Sequence, residues 1–373
     1  MAQIDALKKV ESGITKNGAD FSRNNLDCLR LILAAIVVLF HVSALTGLPA
    51  FSVFEKYCSP HFAVRSFFVI SGLLIYRSYT RSSSIGSYFE KRARRIYPAY
   101  FVVIILVATA LCSLSALPLS RYFGNGFCKY LGANLLFLNF LAPSLPGVFT
   151  LNSLSAVNGA LWTLKIEVVF YLFVPLMHFM CSRFGTRKTV GGIFLFSCCW
   201  KYGFAFLAAT HNAPNGSGGD APRSIYAQLD VQFPAQLVYF TAGILLLLYF
   251  DWLALHFRSI LGITVCLFVI DQFFTGDALD VLWISGMVFV FGFWRYFGEF
   301  SKYGDFSYGA YIVHWPLLQI LIALGFASLN PALFLLLALS LIAAASVLMW
   351  HLVESRFLSR GSHYRQASLS TPA

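Results

Sequence analysis

The sequence is short of charge. Only 12% of its 373 residues are Asp, Glu, Lys or Arg, where a soluble domain carries roughly 25%. A water-facing globule is therefore excluded, and most of the chain must meet lipid or other apolar helices. A contiguous basic groove is also missing. The net charge is +11, yet the basic residues fall in short runs between apolar segments, so nucleic acid is not an expected partner. The eight cysteines (Cys28, Cys58, Cys112, Cys128, Cys181, Cys198, Cys199 and Cys266) form no CxxC pair and no Cys/His spacing of a zinc site. They read as small apolar fillers, and no metal is expected. Residues 1–28 are polar, mixed in charge and too long for the n-region of a cleavable signal. No internal repeat and no pair of broken helices of the transporter kind occurs.

What the chain does have is apolar length. It is 58% hydrophobic, with 38 Phe and 18 Tyr, and its mean hydropathy is +0.71. A membrane span needs about 20 apolar residues. Ten runs qualify: 27–48, 62–80, 96–117, 160–181, 190–209, 234–250, 259–275, 279–295, 306–326 and 331–353. The expected fold is all-α, a polytopic membrane protein with about ten transmembrane helices. Residues 25–354 form its transmembrane domain, between cytoplasmic tails at 1–24 and 355–373. Charge sets the orientation. Arg77, Arg81, Lys91, Arg92, Arg94, Arg95, Arg183, Arg187, Lys188, Arg258, Arg295, Lys302, Arg356, Arg360 and Arg365 fall on one set of connections and the C-terminal tail, and only Lys56, Arg121, Lys129 and Arg223 on the other. The positive-inside rule then puts both termini in the cytoplasm, which an even number of spans allows. The outer connection 118–159 is long, and its stretch 130–141 reads as an interfacial or re-entrant piece. The Gly/Pro/Asn-rich loop 210–232 reads as flexible.

The titratable residues inside apolar runs carry the functional signal. The first run holds Asp27, Arg30 and His41. Eleven residues on a helix place Arg30 and His41 on nearly one face, about 16 Å apart along the axis. A neutral imidazole suits proton transfer near neutral pH, and an interhelical hydrogen bond is the equally weighted structural alternative. Asp27 could pair with Arg30 (i, i+3) or serve the helix dipole. Ahead of the third run, Arg92, Arg94 and Arg95 follow Lys91; Arg92 and Arg95 share a face. They fit either a positive-inside anchor or a clamp for a phosphorylated ligand, since guanidinium groups bind phosphate bidentately. The fourth run opens on Trp162 and carries Lys165, Glu167 and Tyr171. Glu167 could orient His41, bind an acceptor hydroxyl, or pair with Lys165 or Arg65. In the ninth run Ser307, Tyr311 and His314 share a face, and a packed hydrogen bond competes with a ligand contact for His314. His351 and Glu354 look like an interface pair.

In order and spacing, five segments resemble the acyltransferase-3 family of integral membrane acyltransferases. They are LDCLRLILAAIVVLFH from Leu26, FFVISGLLIYRSY from Phe67, RRIYPAY from Arg94, LWTLKIEVVFYL from Leu161 and YGAYIVHWPL from Tyr308. The resemblance covers about Leu26 to Glu354. The family's Arg-x10-His motif falls on Arg30 and His41, its Arg-x-x-Arg motif on Arg92 and Arg95, and its FFVxSG on Phe67, Phe68, Ser71 and Gly72. Its acid after LWTL falls on Glu167, while Arg65 stands where many relatives have an acid.

The resemblance implies a stand-alone O-acetyltransferase, multi-pass in a bacterial inner membrane. Such an enzyme moves an acetyl group from cytoplasmic acetyl-CoA to a sugar hydroxyl of an exopolysaccharide, O-antigen or lipid-linked glycan. It binds no cofactor; acetyl-CoA, the glycan and membrane lipids are its partners. His41, Glu167 and Arg30 are then the expected catalytic residues. Arg92, Arg95, Arg94 and Arg30 would hold the acyl-CoA, with Asp27, Ser71, Trp162, Lys165, Tyr311 and His314 in support. The competing expectation is a glycan or lipid transporter or flippase without acyl-transfer activity.

Overall fold

The computed structural model describes residues 21, 23–211, 225–298, 300–328 and 330–358. The expected tails at 1–24 and 355–373, and the centre of loop 210–232, lie almost wholly outside the described residues. Those residues form helices and no strands. The principal helices are α1 (Leu26–Thr46), α2 (Pro60–Thr80), α3 (Ile85–Ala110), α4 (Asn125–Leu135), α5 (Trp162–Phe184) and α6 (Thr186–His211). They continue with α7 (Phe233–Leu248), α8 (Phe257–Ile270), α9 (Asp280–Phe293), α10 (Phe306–Ala323) and α11 (Pro331–Met349). The chain is an all-α, multi-pass membrane protein.

Nine helical stretches among the described residues are long and apolar enough to cross a membrane. The expected run 279–295 appears as the 14-residue α9, about 21 Å long at 1.5 Å per residue. That is short of a hydrocarbon layer of about 30 Å. Topology nevertheless argues that α9 crosses. Arg30 pairs with Asp305 at the starts of α1 and α10, and His41 meets His314 further along both helices. The two helices are therefore parallel, which requires an even number of crossings between their starts. Seven of the nine long stretches precede α10, and α9 supplies the eighth. Its turn from α8 is tied by Asp271, whose carboxylate accepts from Leu279 N–H at 2.8 Å and Trp283 Nε1–H at 2.7 Å.

Two boundaries differ from expectation. The third span was expected at 96–117, yet α3 begins at Ile85. Ser84 Oγ accepts the Ser87 N–H at 3.1 Å, as an N-cap does. Nothing then breaks the helix before Pro98, so the basic run lies inside α3 instead of in a connection. The stretch 130–141 is split between the end of α4 and a turn at Asn139–Leu141. The chain breaks at Phe137, whose φ is 60°. Asn134 holds the break by donating to Tyr130 O and Ala142 O, both at 2.9 Å.

The chain forms two compact units. One contains residues 64–88 and 166–297, with the segment before Asp27. Its centre is α7, buried on almost every side. Gly72 of α2 and Gly243 of α7 make this possible: a Cβ on either would collide with the opposite backbone, at Phe240 and Val69. Small residues at such a crossing let helices pack without a hydrophobic driving force. Phe170 stacks on Phe240 at 4.2 Å beside the crossing. In the same unit Asp280 is fully buried, with Arg65 at 2.6 Å, Lys201 at 3.2 Å and Tyr239 Oη at 2.5 Å.

The other unit contains residues 27–63, 89–165 and 298 onward. Here a stripe on α10 at i, i+4 and i+8 holds the first turn of α5 and the end of the long connection. Tyr311 Oη lies 2.7 Å from Thr163 Oγ1, Trp315 Nε1 donates to Ala156 O at 3.1 Å, and Gln319 Nε2 donates to Leu154 O at 2.6 Å. Asn158 adds a bond to Ile312 O at 2.8 Å. The second half of this loop is therefore structured, and it is seated on the helix that carries His314.

Candidate active site

One end of the second unit is an ionic cluster. Arg30 near the start of α1 donates to Asp305 at 2.5 Å. Arg95 on α3 donates to Asp305 and, at 3.1 Å, to Glu354 beyond α11. Asp305 is buried and caps α10, accepting from Ser307 N–H at 3.2 Å and Ser307 Oγ at 2.5 Å. The turn ahead of it needs Gly304, with φ at 122° and the Trp350 ring where a Cβ would stand. Burial opposes ionisation of Asp305, but Arg30, Arg95 and the Ser307 bonds outweigh it and hold its carboxyl well below the usual carboxylate range. The cluster ties the starts of α1 and α10 to the interior of α3 and to the segment that follows α11.

Further along the same two helices the histidines meet. His41 Nδ1 lies 3.0 Å from His314 Nε2, with ring centroids 5.1 Å apart. His314 is fully buried, whereas His41 is partly exposed. Trp315 closes edge-on against His41 at 4.7 Å. His314 Nδ1 is 2.8 Å from Tyr311 O and 3.2 Å from Ala310 O. Arg30 sets where α1 is anchored, and the helical rise sets where His41 falls. The arrangement offers a partly accessible imidazole in an apolar span, held from behind by a buried one.

A family model described as an acyltransferase domain matches residues 23–351. The chain belongs to the acyltransferase-3 family. Two similar proteins span nearly its whole length. "Nodulation protein 10" of Rhizobium leguminosarum bv. viciae is 27% identical over 365 residues, covering 89% of this chain and 92% of its own. "O-acetyl transferase" of Shigella phage Sf6 is 27% identical over 360 residues, covering 91% and 97%. No solved structure matches the chain. The chain is thus an enzyme, and the transporter expectation gives way.

In this acyltransferase the expected site residues divide. His41, His314, Tyr311, Arg30, Asp27, Arg92, Arg94, Arg95, Trp162 and Lys165 belong to one unit, and Ser71 and Glu167 to the other. Asp27 is 4.0 Å from Arg30, so Asp305 is the closer partner. Arg94 pairs on the surface with Glu90 at 2.7 Å, and Arg92 is half-buried. Lys165 lies over the Phe140 ring at 4.7 Å, Trp162 is exposed, and Ser71 is half-buried beside the Gly72 crossing. Glu167 accepts from Tyr171 Oη at 2.6 Å. Arg65 pairs with Asp280 and Asp277.

The sequence reading missed Asp305 as a partner of both arginines. An acid two residues before Ser307, at the start of an apolar run, is an N-cap signal, but its distant partners leave no local trace. Glu354 belongs to this cluster through Arg95, where an interface pair with His351 was expected. Among the described residues no group of His, Cys, Asp and Glu is disposed to hold a metal.

Proposed function

We propose that this acyltransferase moves an acetyl group from acetyl-CoA to a hydroxyl of a surface or lipid-linked glycan. The observation that carries the reading is the partly exposed His41 backed by the buried His314 in a chain of this family. The "O-acetyl transferase" relative supports an acetyl donor and a hydroxyl acceptor. The excess of Lys and Arg on the connections at the Arg30 end supports a cytoplasmic face there, where acetyl-CoA is available. Arg92 and Arg94, on the basic run of α3, are suited to its phosphates; Arg94 also pairs with Glu90 on the surface, and Arg30 and Arg95 are more buried, against Asp305 and Glu354. The glycan then approaches from the other face, beneath the loop seated on Trp315 and Gln319. A bacterial inner membrane fits this division of donor and acceptor.

In the step itself the acceptor oxygen attacks the thioester carbonyl and loses its proton to His41. The new C–O bond forms, the C–S bond breaks, and the departing thiolate of CoA takes the proton. General-base catalysis of this kind contributes about 10²- to 10⁴-fold. Purified full-length protein in nanodiscs, given acetyl-CoA and polysaccharide from its own cells, should release free thiol and acetylate the glycan. His41→Ala should lower that rate about 10²- to 10⁴-fold with an unchanged melting temperature. Thiol release at the parent rate would remove His41 from the chemistry.

A further inference from the structure

The hydrogen bonds around the two histidines determine where their protons sit. A backbone carbonyl oxygen can only accept. His314 Nδ1 lies within hydrogen-bond reach of two of them, Tyr311 O at 2.8 Å and Ala310 O at 3.2 Å. That nitrogen therefore carries a proton, and in the neutral ring Nε2 is bare. The bare Nε2 faces His41 Nδ1 at 3.0 Å, so His41 Nδ1 is the donor. With Nδ1–H donated to His314 Nε2, the other ring nitrogen of His41 is left with its lone pair.

The opposite arrangement would put a proton on His314 Nε2 as well. That makes His314 a cation in a fully buried site where its bonded groups are backbone carbonyls and a neutral ring. Burying a charge without a counter-ion is costly.

We propose that His314 is a positioning residue for the acyl transfer: its backbone-anchored ring fixes His41 in the tautomer whose Nε2 lone pair is free to take a proton. The relay runs from the Tyr311 and Ala310 carbonyls through His314 to His41, and no carboxylate takes part. When His41 Nε2 accepts the proton of the acceptor hydroxyl, its Nδ1–H stays on His314 Nε2. That bond becomes charge-assisted and therefore stronger. His314 thus supports the imidazolium that forms, in the place where the sequence suggested Glu167. The inference deepens the acetyl-transfer reading, and rests on it for the use made of the lone pair.

The test reads ring protons directly. Full-length protein carrying ¹⁵N-histidine, in nanodiscs and without substrate, is examined by NMR, with the two rings assigned through His41→Gln and His314→Gln. The expected result is a protonated Nδ1 and a bare Nε2 on His41, with a coupling across the hydrogen bond to His314 Nε2. In His314→Gln the amide oxygen can still accept from His41 Nδ1–H, so the tautomer holds and kcat for thiol release stays near the parent value. In His314→Leu the acceptor is gone. His41 then becomes a mixture of tautomers and kcat falls roughly 10- to 100-fold, with KM for acetyl-CoA unchanged. A parent protein with its His41 proton on Nε2 overturns the inference while leaving acetyl transfer standing. So does a His314→Leu variant with parental nitrogen shifts and kcat. Because the spectra need no substrate, failure of the acetyl-transfer reading would leave the tautomer result intact.

Discussion

Asp305 in one unit and Asp280 in the other are both buried at the start of a helix, and each holds two cations. Around Asp305, Arg30 and Arg95 face Asp305 and Glu354, with Asp27 4.0 Å from Arg30. Around Asp280, Arg65 and Lys201 face Asp280 and the exposed Asp277, which is 3.5 Å from Arg65. Tyr239 and Tyr202 complete the second cluster, at 2.5 Å and 3.4 Å. By composition the two are near equivalents, and either would catch the eye as an intramembrane site. They differ in what else their helices carry. α1 holds Arg30 and His41, and α10 follows Asp305 and holds His314, so one cluster pins the two helices that bring the imidazoles together. The helices that meet at Asp280 carry neither histidine. A buried charge marks where a membrane fold is fixed; it bears on chemistry only through the helices it aligns.

The sharpest way to break that distinction is to neutralise each aspartate in turn. Asp305→Asn and Asp280→Asn each leave two cations without their central anion, which costs roughly 3–5 kcal/mol. Both variants should therefore melt earlier in nanodiscs. Per folded molecule they should part. A shift of α1 against α10 misplaces His41 relative to His314, and misplacement by about 1 Å can cost a hundredfold in rate. Asp305→Asn should thus lose acetyl transfer well beyond its loss of folded protein, and Asp280→Asn should not. Equal specific activities in the two variants would mean that the Asp305 cluster is scaffold alone.

The contrast also explains what could be read from the sequence. Apolar run length was enough for ten helices, because the cost of an unsatisfied backbone in lipid leaves a long apolar run little alternative to a helix. It overestimated α9, since length alone cannot register that Asp280 at its start is spoken for by residues on α2, α6 and α7. Helical periodicity placed Arg30 and His41 on one face, and placed Tyr311 and His314 within one turn of each other. It could not pair them across helices. The partners of Arg30 and Arg95 lie 275 and 210 residues away in sequence, and a single sequence holds no signal at that range. Glu167, an acid inside a span, accepts from Tyr171 one turn on, a bond that helical spacing already allows. His314 lies against His41, and nothing local distinguished it from a packed core histidine.

A smaller effect sharpens the comparison within the Asp305 cluster. Arg95→Ala removes the partner of both Asp305 and Glu354 and should destabilise by roughly 3–5 kcal/mol. Arg92 lies three residues earlier on α3 and is half-buried. On the proposed reading Arg92→Ala should raise the KM for acetyl-CoA about tenfold, which is about 1.4 kcal/mol, with little change in melting temperature. Thermal melts and thiol-release kinetics on the same samples separate the two. If Arg92→Ala shifts the melt and spares KM, the phosphate contact belongs elsewhere on the basic run.

The smallest effect lies in pH, and its sign is fixed by Asp305. Its carboxyl is held below the usual range in the folded chain, despite its burial, by Arg30, Arg95 and Ser307. A depressed carboxyl stabilises the fold in full above its unfolded pKa of about 3.9, and that contribution is lost as pH falls through the lower folded value. Between pH 5 and 8 the Asp305 cluster should therefore add no slope to the melting temperature. Below about pH 4 the parent should lose stability faster than Asp305→Asn, which has no proton to bind there. Their melting curves against pH should converge from the acid side. Parallel curves down to the acid limit would mean that the Asp305 carboxyl has the same pKa folded and unfolded, and a parent that loses stability against Asp305→Asn as pH rises above about 4 would mean that Asp305 is neutral in the fold.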